Sequence, residues 1–249
     1  MVRQPASVAP SVTTLAALLA LVSFASASPA AAQYGFGTGR ARTAVGGGLA
    51  IAQPIGEFKS YVNNGFGGGG HFMMKVDRPG FLALRADVGF LIYGHETKHV
   101  SMPGAGRVEF EVTTSNNILT YSIGPQLMVP TGPIRPYVNA TVGGAYFFTE
   151  SSIGGDDDGY DFASTRNFGD NVPSYGYGGG LFIPLATRYA DVGLDLGARF
   201  VRNGHTRYLR EGGIEDLETG GYVVSPIESE TNFVLYHIGV NVGIRRNRR

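Results

Sequence analysis

The sequence predicts an all-β protein: an eight-stranded antiparallel, up-and-down transmembrane β-barrel with short periplasmic turns and long extracellular loops. Three observations carry that expectation. Segments of about ten residues, enough for a tilted strand to cross a bilayer, alternate between a greasy parity and a glycine-rich or polar one, as strand side chains do. The connections alternate between tight turns and long polar stretches. The charges inside the segments fall on the glycine-rich parity.

The first segment, 43–52, sets Val45, Leu49 and Ile51 against Gly46, Gly48 and Ala50. The second, 66–76, sets Phe66, Phe72, Met74 and Val76 against Gly67, Gly69, His71 and Lys75. Asp77-Arg78-Pro79-Gly80 is a tight turn into the third, 81–93, where Leu82, Leu84, Ala86, Val88, Phe90 and Ile92 oppose Arg85, Asp87, Gly89 and Tyr93. Residues 118–148 form a hairpin of two segments around Thr131-Gly132-Pro133. Leu119, Tyr121, Ile123 and Leu127, then Val138, Val142, Tyr146 and Phe148, share its apolar face. The sixth, 175–185, opposes Tyr175, Tyr177, Leu181 and Ile183 to Gly176, Gly178 and Gly180. In the seventh, Val192, Leu194, Leu196 and Phe200 face away from Asp191, Asp195 and Arg199. The eighth, 233–244, sets Val234, Tyr236, Ile238, Val240 and Val242 against His237, Gly239, Asn241 and Gly243. The stretches 94–117, 149–173 and 202–232 are expected as long loops at one end.

Charge decides which parity faces lipid. A Lys or Arg against hydrocarbon near mid-bilayer costs about 2–4 kcal/mol, and several such terms would exceed the roughly 5–15 kcal/mol that stabilises a domain. The charges are therefore expected inside, in a lumenal ion-pair network of Lys75, Arg85, Asp87, Asp191, Asp195 and Arg199. Eight strands enclose only enough room for side chains, so glycine is needed between the long polar groups and the lumen is expected to be plugged. His71, Gln126, Asn139, His237 and Asn241 would fill the remaining hydrogen-bonding positions. Val240→Asp is expected to block insertion and Asn241→Asp to be mild.

Composition agrees with this class. The 249 residues have no net charge, no Cys, no Trp and 38 Gly, which excludes a disulfide framework, a thiolate metal site and the basic footprint of a nucleic-acid binder. At the N-terminus, Arg3, the apolar run 15–24 and Ala30-Ala31-Ala32 read as a signal peptide over 1–32. That leaves the barrel over 33–244 and a basic tail over 245–249.

The sequence resembles the small outer-membrane β-barrels typified by the transmembrane domain of outer-membrane protein A and by opacity-type proteins. The residues that carry the resemblance are Leu84-Arg85-Ala86-Asp87-Val88-Gly89-Phe90, Ile123-Gly124-Pro125-Gln126-Leu127, Arg135-Pro136-Tyr137-Val138 and the Gly-Val-Asn-Val-Gly of 239–243. It implies residence in the bacterial outer membrane among lipid and lipopolysaccharide, and insertion by the barrel-assembly machinery. That machinery favours a terminal aromatic; here the last strand runs instead into Arg245-Arg246-Asn247-Arg248-Arg249.

Motifs that look catalytic read as structure. His95-Glu96-Thr97-Lys98-His99 matches H-E-x-x-H, which chelates zinc only on a helix; on a strand its histidines lie about 13 Å apart. Asp156-Asp157-Asp158 lacks the acid that a calcium loop needs at position twelve, where Asn167 stands. His205, Glu211 and Ser225 share one loop without triad spacing. No catalytic, metal or cofactor site is therefore expected. The expected function is a non-enzymatic, monomeric barrel that stiffens the membrane or presents its loops. The alternative is an adhesin or ligand-binding barrel using aromatic loop residues such as Tyr160, Phe162, Tyr208 and Tyr222 on an extracellular ligand. A lipid A-modifying enzyme, using residues such as His99 and His205, and a small pore are lesser readings.

Overall fold

A computed structural model describes residues 41–101, 109–155, 161–185, 191–216 and 222–244. The expected signal peptide, the basic tail, Tyr160 and Asp156-Asp157-Asp158 lie outside the described residues, as do the side chains of His99, Phe162 and Tyr222. Eight strands close a barrel: β1 (Thr43–Pro54), β2 (Gly65–Lys75), β3 (Leu82–Ser101), β4 (Glu109–Met128), β5 (Arg135–Gly155), β6 (Asp161–Leu185), β7 (Asp191–Asn203) and β12 (Phe233–Ile244). Each pairs antiparallel with its neighbour around the barrel. The seam joins β1 to β12 in unbroken register from Thr43↔Ile244 to Pro54↔Phe233. Every strand edge of the membrane-spanning part is thereby paired, as a bilayer requires.

Turn chemistry fixes the short end. Asp77 accepts the N–H groups of Phe81 and Leu82, both at 2.9 Å, and Gly80 takes φ 86°. Gly132, at φ 104°, closes the β4–β5 turn where a side chain would be strained.

The long end departs from expectation. Residues 94–117 and 149–173 are not irregular loops. β3 to β6 continue together as one four-stranded sheet: β3 pairs with β4 to Ser101↔Glu109, β4 with β5 to Phe110↔Gly155, and β5 with β6 to Gly154↔Asp161. Two of its three pairings carry register shifts where it leaves the barrel, between Ile92 and Gly94 and between Thr149 and Glu150. Bulges of this kind bend a strand away from its former course. Polar on both faces, these stretches lack the membrane alternation yet satisfy each other's backbone. The β7–β12 connection folds into two small sheets, β8 (His205–Tyr208) with β11 (Ile227–Glu230), and β9 (Ile214–Asp216) with β10 (Tyr222–Val224).

Burial follows the expected parity. Val142 (64% exposed), Val138 and Ile238 stand on the outer wall with Val88, Leu127 and Leu181, whereas Arg85 (2%), Gln126 and Asp195 (1%) lie inside. An apolar surface this continuous is what a membrane covers.

Candidate functional site in the barrel lumen

The lumen is built in four layers, set by height along the strands. At the extracellular end lies an apolar cap. Phe58, from a single 3-10 turn (Phe58–Ser60) between β1 and β2, sits at its centre, with ring centroids 5.2 Å from Tyr208, 5.9 Å from Tyr93 and 6.0 Å from Phe147. All three contacts are edge-to-face, the geometry aromatic pairs prefer. Leu91, Ile118, Val201 and Phe233 complete the cluster. The β7–β12 connection straps over it: Tyr93 Oη–H donates to the Leu209 carbonyl (3.0 Å), His95 N–H to Glu211 Oε1 (3.1 Å) and Gly212 N–H to Glu96 Oε2 (2.9 Å).

Sequence reasoning missed this cap, although its signal was present. In Phe90-Leu91-Ile92-Tyr93, Ile118-Leu119, Tyr146-Phe147-Phe148 and Phe200-Val201, both parities turn apolar at the same end of the barrel. Tyr208, expected as an exposed loop anchor, is 1% exposed in the cap. Its place in β8, between the barrel mouth and β11, turns the ring inward, and its hydroxyl meets Ser229 at 2.9 Å.

Below the cap is a cavity of about 90 Å³, lined by Asp87, Thr120, Ser122, Thr141, Arg199 and His237 among others. Such a volume holds several waters. Asp87 Oδ2 and Arg199 Nε, buried here, have no hydrogen-bond partner among the described residues.

The third layer is the polar network. Arg85 Nε–H donates to Asp87 Oδ1 (2.8 Å) and its Nη1 to Gln126 (3.1 Å), with Nη1 3.6 Å from Asp195. Arg199 Nη2 reaches Asp87 Oδ1 at 3.2 Å. Asp195 accepts from the Tyr137 hydroxyl (2.7 Å) and from Asn241 Nδ2 (3.3 Å), and lies 3.5 Å from His237 Nε2 and 3.9 Å from His71 Nε2. His71 in turn bonds Asn241 Oδ1 and, through Nδ1, meets Arg85 Nη2 at 3.1 Å. Six strands supply these groups. β1 and β6 supply room instead: a Cβ on Gly46 would strike the His71 ring and Asn241, and one on Gly180 the Tyr137 hydroxyl. Tyr137 was not singled out by sequence because an aromatic gave no sign of a polar role; its inward parity beside Val138 was the available clue.

The fourth layer is the periplasmic mouth. Lys75 and Asp191, expected in one network with the other four ions, line instead a separate cavity of about 70 Å³ with Arg42 and Arg135. The structure therefore brings together Arg85, Asp87, Asp195 and Arg199, and sets Lys75 and Asp191 apart from them. Register explains it, because Lys75 and Asp191 begin or end their strands one turn of the pleat or more below the ionic layer.

The motifs considered for chemistry are engaged elsewhere. Residues 95–99 lie in β3, an extended strand, with Glu96 3.6 Å from Lys98. His205 stands opposite Glu230 in the β8–β11 pair, while Glu211 reaches across to His95. Among the described residues no group of three His, Asp or Glu could hold a metal ion.

A closed eight-stranded cylinder, greasy outside and ionic within, is a membrane-spanning architecture. The fold is that of a transmembrane β-barrel. Solved structures similar to the barrel include Neisserial surface protein A (14% identity, covering 81% of this chain and 97% of that one, TM-score 0.46). The attachment invasion locus protein Ail of Yersinia pestis is 10% identical over 81% of this chain and 97% of its own (TM-score 0.43). A major outer membrane protein from Thermus thermophilus is 16% identical over 80% and 98% (TM-score 0.42). No family model and no curated protein matches the chain.

Proposed function

We propose that this barrel is a non-enzymatic, monomeric structural element of the outer membrane whose lumen is plugged. It sits among lipid and lipopolysaccharide and is delivered by the barrel-assembly machinery. The observation that carries the reading is the filled lumen: the apolar cap and the Arg85–Asp87–Asp195–Arg199 layer each cross it from several strands. A permanent ionic layer at mid-barrel ties opposite walls together, which is a structural use of buried charge. Single-channel recording on protein reconstituted in planar bilayers tests it. The reading predicts no steady open level, and a steady large conductance overturns it.

A second reading, presentation of a binding surface, is favoured by the four-stranded extension of β3 to β6. β3 to β6 run 20, 20, 21 and 25 residues, about twice the nine to eleven that span a bilayer, so half of each projects outward, where barrels carry their functional surfaces. Trimming the β3–β4 and β5–β6 hairpins of this sheet to short turns separates the two: a scaffold keeps its fold and its phenotype, and a ligand-binding barrel loses its extracellular partner.

A further inference from the structure

The chamber between the apolar cap and the ionic layer holds polar atoms that no side chain meets. Asp87 Oδ1 accepts both the Arg85 Nε–H (2.8 Å) and an N–H of Arg199 Nη2 (3.2 Å), whereas its Oδ2 is buried without a partner among the described residues. Arg199, its side chain 8% exposed, leaves a buried Nε–H in the same state. Both residues line the cavity of about 90 Å³, beside the hydroxyl-bearing Thr120, Ser122 and Thr141. Glycine keeps the space open. A Cβ on Gly89 would lie 2.8 Å from Thr120 Oγ1, and one on Gly176 3.1 Å from Thr141 Oγ1. A buried donor or acceptor left unmade has given up its hydration without return, so the fitting occupant is one that both accepts and donates. The guanidiniums of Arg85 and Arg199 are matched in the wall by the carboxylates of Asp87 and Asp195, which gives an ion no opposite charge to neutralise.

We propose that this chamber is a binding site for an ordered cluster of about three waters, at about 30 Å³ of liquid volume each. One accepts from Arg199 Nε–H, another donates to Asp87 Oδ2, and the threonine and serine hydroxyls complete their bonding. Water with several polar partners in a small buried space is part of the structure, and here it ties β3 and β7 to the hydroxyls of β4 and β5. A small polyol offers the same hydroxyl chemistry, but the ring-filled cap above and the ionic layer below stand in its way.

Magnetisation transfer from water to ¹³C-labelled threonine methyls, in the full chain held in nanodiscs, reports directly. Thr120 and Thr141 line the chamber, and Thr97 is exposed above the membrane. Thr149, 1% exposed with its hydroxyl donated to Asn116, serves as the dry reference. Thr120 and Thr141 are expected to receive transfer well above Thr149, and glycerol added to the buffer is expected to leave their shifts in place. Ser122→Leu, which fills the chamber, is expected to cut the transfer at both residues to the Thr149 level while Thr97 keeps its own. The wild-type comparison stands whether or not that variant folds. Wild-type Thr120 and Thr141 at the Thr149 level, or transfer unchanged in a folded Ser122→Leu, would overturn the proposal. So would saturable glycerol shifts at Thr120 and Thr141, which would assign the chamber to a solute.

Discussion

Asp195, at 1% exposure, accepts two hydrogen bonds and lies 3.6 Å from Arg85, 3.5 Å from His237 and 3.9 Å from His71. Truncating one member of a buried ion pair leaves the other uncompensated, at a cost of about 3–5 kcal/mol. Asp195→Ala is therefore expected to lower the unfolding free energy in lipid vesicles by that amount, measured by urea titration. The same geometry revises the expectation for Asn241→Asp. Its amide donates to Asp195, so a carboxylate there would exchange a hydrogen bond for like-charge contact at about the same distance, and the change is expected to destabilise instead of being mild. Outside the membrane, the Arg207 N–H and the Thr206 hydroxyl donate to Asp170 at 2.8 and 2.9 Å and hold its carboxyl below the usual range. A depressed carboxyl contributes stability that is complete above the ordinary value of about 3.9 and is lost as pH falls through its own lower one. The β6–β8 junction is thus expected to persist from neutrality to about pH 4 and loosen below it. Titrating the Arg207 amide signal by NMR checks this: a midpoint below about 3.9 agrees, and one above it does not. At this scale parity was enough to place the charged residues inside, but not to group them. Lys75 and Asp191 share parity with Arg85 and Asp195, and only the register between strands assigns them to a different layer.

The eight spanning strands were legible as elements because hydrocarbon outside and glycine inside impose opposite demands on alternate positions. The sheet extension above the membrane was not, since its polar residues on both faces remove that contrast; Glu111-Val112-Thr113-Thr114-Ser115 reads as polar loop although its backbone is paired with both neighbours. The 3-10 turn was invisible for another reason. One apolar residue among Gly56, Glu57, Lys59 and Ser60 carries no period, and its burial arises only when β3, β5 and β8 supply the pocket. Removing a buried Phe side chain costs about 3–5 kcal/mol. Phe58→Ala is expected to lose stability in that range while the barrel stays closed and inserted. A lower unfolding midpoint with an unchanged shift between folded and boiled gel mobility would agree, and wild-type stability would remove the cap from the account.

For the whole molecule, one arrangement organises everything else. Aliphatic side chains meet acyl chains, while the ions, which would cost several kcal/mol each on the outer wall, hold opposite strands together from within. That assignment follows from alternation and charge alone, and the outward exposure of Val138, Val142 and Ile238 agrees with it. Because the chain has no cysteine, single cysteines carrying nitroxide labels can be placed without background. Labels at Val142 and Ile238 in reconstituted vesicles are expected to relax strongly with oxygen, which partitions into lipid, and weakly with a water-soluble nickel chelate. A label at Asn139 is expected to be shielded from lipid-borne oxygen. High oxygen accessibility at Asn139 with nickel accessibility at Val142 and Ile238 would turn the barrel inside out and contradict the account.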